Sequence, residues 1–347
     1  MSYYNRMKIK TTIAGSLPKP TWLAEPEKLW AEWKLKDSDL FKGQCEAALH
    51  WIKFQENSGV DIISDGEQFR KHFVHGFLES IQGIDWNKMT TMGIRNDRYD
   101  AEVPTVVNEL KRLETVHSKS TEFCLKNTSN DFKITLPGPM TICDTIANGF
   151  YSSRKEMAFE FAKILNAEAL ELEKLGVHTI QFDEPAFNAF TKEASEWGVE
   201  ILEVAASGLK CKTAVHICYG YGIKQNIDWK KTLGNEWKQY EDFFPTLNNS
   251  SIDQVSLECA NSRVPLDVLK MLSNKEILVG VIDVANLEIE TPSEVCKLLE
   301  KVSTYVDYKN IIACTNCGMA PMPFNIAEEK IKSLVAGTNL FTKSILY

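Results

Sequence analysis

Four side chains far apart in the chain, His216, Cys218, Glu258 and Cys317, fall at the ends of β-type runs and together make a ligand set for one metal ion. The runs are Thr213-Ala-Val-His-Ile-Cys218, Val255-Ser-Leu-Glu258 and Ile311-Ile-Ala-Cys-Thr-Asn-Cys317. One imidazole, two thiols and one carboxylate suit a tetrahedral, borderline-soft cation, and Zn²⁺ is the expected ion. His216 and Cys218 stand two residues apart, so an extended backbone points both the same way. Alone, His-x-Cys reads as a core histidine beside a buried cysteine; Glu258 and Cys317 at neighbouring strand ends turn the balance toward metal. The carboxylate is the weakest thiophile of the set, so an incoming thiol can displace it. Zinc with two thiolates is a weak Lewis acid, and a thiol of free pKa about 8.5 is deprotonated on binding it. The expected chemistry is alkyl transfer onto a small-molecule thiol.

The other cysteines carry less. Cys314 and Cys317 form a C-x-x-C that also reads as a redox pair, but such pairs open a helix, and this one is expected to end a strand. Cys314 should therefore face the wall of the fold, and Cys259 should face away from Glu258. Cys45, Cys124, Cys143, Cys211 and Cys296 lie on helix or strand patterns and give no signal.

The elements that position these residues repeat along the chain. Strands are expected at 10–14, 60–64, 133–136, 179–182, 212–216, 254–258, 277–282 and 310–314 as short apolar runs, the pattern of strands buried on both faces. Helices are expected over 44–57, 155–175 and 291–302, the last opened by a Thr291 cap and Pro292. This alternation predicts one catalytic (β/α)₈ TIM barrel over residues 1–347, with a doubly wound open sheet as the alternative. The long connections 66–131 and 219–251 are expected to be helical insertions after strands 2 and 5. Trp229, Trp237, Tyr240 and Phe243 in the second are expected to be core. Gly15-Ser16, Asp65-Gly66-Glu67, Asp183-Glu184, Asp283 and the ligand set all follow strands, on the face where barrels build active sites.

A net charge of -8 and a pI near 5.5 argue against nucleic-acid or membrane-surface partners. The start, Met1-Ser-Tyr-Tyr-Asn-Arg-Met-Lys8, has no apolar signal core, and nine cysteines without secretory features imply reduced thiols and a cytoplasmic location.

The chain resembles the cobalamin-independent methionine synthases, specifically their C-terminal catalytic barrel, in the short form lacking the N-terminal domain. The likeness rests on Thr11-Thr-Ile-Ala-Gly-Ser16-Leu-Pro, Ser64-Asp-Gly-Glu67, Leu136-Pro-Gly-Pro-Met-Thr141 and Ile180-Gln-Phe-Asp183-Glu-Pro-Ala186. It continues through His216-Ile-Cys218-Tyr, Leu257-Glu258, Gly280-Val-Ile-Asp283 and Thr315-Asn-Cys317-Gly, in family order along nearly the whole chain. The resemblance implies a zinc-dependent S-methyltransferase that forms methionine from homocysteine, with zinc on His216, Cys218, Glu258 and Cys317. Homocysteine contacts map onto Ala14, Gly15, Ser16, Glu67 and Asp183. Two carboxylates suit an α-ammonium, and Gly15 and Ser16 suit an α-carboxylate.

Three departures fall on the methyl-donor side. The family's tryptophan beneath the pterin is Thr145 here, its pterin-contacting glutamate is Ala189, and its proton-donating histidine is Ala285. Protonation makes a methylated folate release its methyl group, so a substitute acid is expected at His72, His75 or Asp144. The expected donor is 5-methyltetrahydrofolate, with a methylated corrinoid protein as the alternative and an accessory or methyl-carrier protein as a partner in that case. Two other readings keep the metal: an epoxide-opening thiol alkyltransferase, and a non-catalytic zinc barrel that binds a thiol metabolite. A metal-assisted hydrolase fits poorly, because two thiolates blunt the activation of water.

Overall fold

The computed structural model describes residues 8–28 and 31–346; most of the amino-terminal stretch read for a signal core lies outside them. Eleven strands follow one another among the described residues. They are β1 (Lys10–Thr11), β2 (Ile62–Ile63), β3 (Ile81–Ile94), β4 (Tyr99–Arg112), β5 (Asp131–Pro137), β6 (Ala147–Asn148), β7 (Thr179–Asp183), β8 (Lys212–Ile217), β9 (Gln254–Glu258), β10 (Glu276–Ile282) and β11 (Ile311–Thr315). Eight of them form a parallel sheet in the order β1-β11-β10-β9-β8-β7-β5-β2. Thr12 bridges to Ile62 in parallel and its hydroxyl donates to the Ile62 carbonyl at 2.8 Å, which brings the two ends together and closes the barrel. All eight expected strands are present at the expected places.

Helices seal the outside. The helix Asp37–Ser58 ends at Gly59, whose φ of 89° only glycine adopts without penalty. Arg154–Lys174 starts with Ser153 capping Glu156, and Pro292–Val302 starts with the Thr291/Glu294 capping box. No helix among the described residues is long and apolar enough to cross a membrane.

Inside the barrel lies a polar rod. Lys133, fully buried, donates to the Ile13 carbonyl at 2.6 Å and to Gln181 Oε1 at 2.7 Å. Gln181 in turn donates to the Ala14 carbonyl at 2.6 Å and to Asp183 Oδ1 at 2.7 Å. Buried polar groups must be paired, and this chain uses its pairing to fix Asp183 at the carboxyl end of the barrel.

The insertion after β8 is helical, as expected, with Lys224–Thr232 and Phe244–Asn248 as its helices. Its aromatic residues pack as structure: Tyr240 and Phe243 are fully buried, and Trp237 lies 4.8 Å ring to ring from Tyr219. The insertion after β2 differs from expectation. Besides the short helix His75–Leu78 and the helix Ser118–Lys126, it is an antiparallel ribbon of β3 and β4. The helical reading failed because both strands are half-exposed and polar, with register shifts at 82–84 and 85–90 that break any clean alternation. β6 extends the ribbon by pairing in parallel with β4. Arg112 anchors its base through Glu168 at 2.8 Å and Glu171 at 3.0 Å. At its tip, Arg95, Asn96 and Asp97 turn with φ of 55°, 57° and 58°. Such angles are costly for arginine, and Asp144 holds Arg95 there by accepting from both its backbone N–H and its guanidinium.

Candidate metal and substrate site

β8 delivers His216 and, one step past its end, Cys218; the loop after β11 delivers Cys317. The three are buried, and their donor atoms all lie within 4.8 Å of one another. Cys317 Sγ stands 3.1 Å from Cys218 Sγ. That hydrogen bond, ahead of the opposing effect of burial and the help of His216, holds the Cys218 thiol well below its ordinary range. The same bond, with burial, holds Cys317 well above it. Burial would lower the His216 imidazole, but the Cys218 thiolate and Asp183 outweigh it and raise it. His216 Nδ1 lies 2.8 Å from Ser256 Oγ, whereas Nε2 is buried without a hydrogen-bond partner. An orphaned imidazole nitrogen facing two sulfurs fits a soft or borderline cation and is otherwise costly.

The fourth expected ligand is placed differently. Glu258 ends β9 beside the trio, but its Oε1 pairs with Lys230 Nζ at 2.7 Å and its Oε2 accepts from the Tyr219 N–H at 3.1 Å. Its donor atoms are not among those that converge. Lys230, 28 residues upstream on an inserted helix, gives no sequence signal that it will reach this carboxylate.

A cleft beside the trio gathers every residue expected to contact an amino-acid substrate. Ala14, Gly15, Ser16, Glu67 and Asp183 line it together with His216, Cys218, Cys317 and Tyr221. Its free volume is about 20 Å³, room for roughly one water, so an amino acid enters only as the lining opens. Glu67 adopts a φ of 59°, a strained choice held by an Asp65 hydrogen bond to its N–H at 2.9 Å. Its Oε1 accepts from Thr135 Oγ1, also at 2.9 Å. Gly15 must be glycine, since a Cβ there would stand 2.9 Å from Glu67 Oε1 and 3.0 Å from Thr135 Cγ2. Burial, opposed by His216 and aided by the Glu67 carboxylate, pushes Asp183 up to about 7. Two facing acids of this kind call for a cation between them.

A second, larger cavity of about 280 Å³ shares Cys218, Pro185, Phe73 and Tyr221 with the first. The ribbon tip supplies its other wall through Ile94, Arg95, Arg98 and Tyr99. Arg98 lies 3.3 Å above the Trp229 ring and donates to Asn226 at 3.1 Å, tying the ribbon to the Lys224–Thr232 helix. The three converging donors thus sit between a small cleft lined by Glu67 and Asp183 and a larger cavity under the ribbon.

The expected acids are found here in other roles. His72 and His75 line the larger cavity but are buried, not surface helix residues. Burial, reinforced by His75 and Arg95, holds His72 well below the usual imidazole range; burial lowers His75 too, against its bond to the Thr145 carbonyl. Burial thus disfavours the cationic form of both rings. Asp144 is committed to Arg95. Thr145 lines the cavity. Cys314 is fully buried in β11, and Cys317 pairs with Cys218 rather than with it. Ser256, Tyr221 and the ribbon arginines escaped sequence reasoning; Asn96-Asp97 was a turn signal that could have revealed the ribbon.

Residues 9–339 match the family described as cobalamin-independent synthase, catalytic domain. A methionine synthase from Sulfurisphaera tokodaii is 31% identical over 97% of this chain and 94% of its own length. The structure of a B12-independent methionine synthase from Shewanella sp. W3-18-1, in complex with selenomethionine, superposes with a TM-score of 0.96. It is 51% identical, over 98% of this chain and 99% of that one. A Listeria monocytogenes chain shares the fold at a TM-score of 0.72 and 16% identity, over 96% of this chain and 98% of that one.

Proposed function

The chain belongs to the cobalamin-independent methionine synthase catalytic-domain family, and from that premise we propose that it makes methionine by methylating homocysteine held at His216, Cys218 and Cys317. The observation that carries this reading is the junction at Cys218: a small cleft holding the Glu67 and Asp183 carboxylates on one side, a larger cavity on the other, and converging soft donors between them. A zinc ion on those donors would keep a substrate thiol deprotonated at neutral pH yet nucleophilic. Glu67 and Asp183 then hold the α-ammonium, and the backbone and hydroxyl of Gly15 and Ser16 face the α-carboxylate. Fixing the thiol against a methyl group in the next cavity supplies much of the acceleration. The Shewanella relative's selenomethionine, an analogue of methionine, agrees with this product.

The expected donor is 5-methyltetrahydrofolate, placed in the cavity under the ribbon. One observation favours a methylated corrinoid protein instead: two of the expected acids are engaged elsewhere, His75 Nε2 with the Thr145 carbonyl at 3.1 Å and Asp144 with Arg95, and burial disfavours the charged form of His72 and His75. Methyl transfer from cobalt leaves the electron pair on the metal and needs no proton. Purified protein assayed with zinc, homocysteine and each donor separately tests both readings. Methionine is expected with one donor; absence of homocysteine binding and of methionine with both would overturn the proposal.

A further inference from the structure

Two cations are sealed inside the barrel beside the small cleft, and neither pairs directly with the carboxylates that line it. Lys133 is 1% and Arg70 3% exposed. Lys133 forms no ion pair with a described residue, and Arg70 meets only Asp65, at 3.7 Å. Each reaches a cleft acid through one neutral side chain. Lys133 Nζ lies 2.7 Å from Gln181 Oε1, and Gln181 Nε2 lies 2.7 Å from Asp183 Oδ1. Arg70 Nη2 lies 3.0 Å from Thr135 Oγ1, which lies 2.9 Å from Glu67 Oε1. Thr135 on β5 and Gln181 on β7 are register partners, so both relays cross the same layer of the barrel.

The sense of each relay is dictated by its ends. An ammonium and a guanidinium only donate, and an ionised carboxylate only accepts. Gln181 must therefore turn its oxygen to Lys133, which leaves its NH₂ for Asp183 and for the Ala14 carbonyl at 2.6 Å. Thr135, accepting from Arg70, has one hydrogen left, and it goes to Glu67. Each cation polarises the donor in front of it, in an interior where such bonds are stronger than in water. Direct contact would commit each acid to a buried ion pair. The neutral intermediary instead occupies one oxygen and leaves Asp183 Oδ2 and Glu67 Oε2 without a hydrogen bond from a described residue.

We propose that Lys133 and Arg70 are positioning residues for the amino group of the substrate: acting through Gln181 and Thr135, they fix Asp183 and Glu67 so that the free oxygens select a thiol bearing an α-ammonium. This rests on the function proposed above for the same cleft. Titration calorimetry on the zinc-loaded full chain compares homocysteine with 4-mercaptobutanoate, which has the same thiol and carboxylate but no amino group. The parent is expected to prefer homocysteine. Lys133→Met removes the charge at similar length and frees the Gln181 amide to turn over; Thr135→Val removes the hydroxyl that meets Glu67. Each should weaken homocysteine about 10- to 100-fold, the worth of one charge-assisted hydrogen bond. Affinities for 4-mercaptobutanoate and for zinc should stay within about twofold of the parent's. Because Lys133 acts through Gln181, Q181L should lose as much as K133M, and K133M/Q181L no more than either. T135V carries the same test should K133M fail to fold. Equal losses for both thiols, a preference for homocysteine unchanged in either folded variant, or additive losses in the double variant would overturn the assignment. A parent that does not prefer homocysteine brings down the reading of the cleft together with the relays; a parent that does, beside variants that keep its preference, removes the relays alone.

Discussion

Removing the hydroxyl of Ser256 tests the metal centre from behind. Ser256 is fully buried on β9, and its Oγ lies 2.8 Å from His216 Nδ1. If Nε2 offers its lone pair to a metal, Nδ1 carries the proton and donates it to the serine oxygen, which fixes both tautomer and ring orientation. In Ser256→Ala the imidazole loses that partner, and metal binding must then itself enforce the reactive tautomer. Outer partners of metal-bound histidines change affinity by about 10- to 100-fold, or about 1.4–2.7 kcal/mol. The upper end applies where the orphaned N–H stays dry, as it does beneath a buried ring. Competition with a chromophoric chelator under reducing conditions reads the constant directly. The Ser256 hydroxyl also touches Cys314, so Cys314→Ala serves as the control and should leave zinc affinity where it was. An S256A constant within about twofold of the parent, or an equal loss in the control, refutes the argued role of His216.

Gly15→Ala places a Cβ 2.9 Å from Glu67 Oε1 and should weaken homocysteine binding about 10- to 100-fold, the worth of one charge-assisted hydrogen bond; calorimetry should find zinc affinity unchanged. Glu168→Ala strips Arg112 of a fully buried partner and leaves the Val116 and His117 N–H groups unpaired. Urea denaturation should show a loss of about 3 kcal/mol, the low end for a broken buried pair because Glu171 still holds the arginine. His117 is buried, and burial, aided by Arg70, depresses it well below the usual range. It favours the fold above its unfolded pKa of about 6.5, and that contribution is lost as pH falls. His117→Gln should therefore gain on the parent by up to about 1.4 kcal/mol per pH unit below that point. Asp183 and Glu184, each pushed up to about 7 chiefly by burial, pull the absolute profile the opposite way. The difference between variant and parent is the quantity to follow by thermal melts from pH 5 to 7; parallel profiles refute it.

The barrel was readable because its strands are buried on both faces, so unbroken runs such as Ile277–Ile282 cannot be mistaken for surface. The metal trio was readable for a related reason: residues at strand ends converge once the sheet closes, whatever joins them. Orientation was harder. Glu258 lies where expected, but its direction depends on Lys230, whose helix docks through tertiary contacts no local pattern encodes. His72 and His75 look like surface residues along the chain and become buried only because the ribbon covers them, with Trp86 at 5.5 Å from His75. The ribbon itself was missed because its polar, shifted strands lack clean alternation.

That ribbon divides the labour of the site between two kinds of architecture. The half that carries His216, Cys218 and Cys317 hangs on the closed sheet, where a shift in one strand would disturb all eight. The opposite half is a detachable arm, tethered at its base by Arg112 and at its tip by Arg95 and Arg98. On the function proposed above, exchanging residues 81–112 would alter the electrophile's side of the site while the nucleophile's side on the barrel stays fixed. Grafting this arm between relatives is the direct way to transplant one partner preference onto another's barrel.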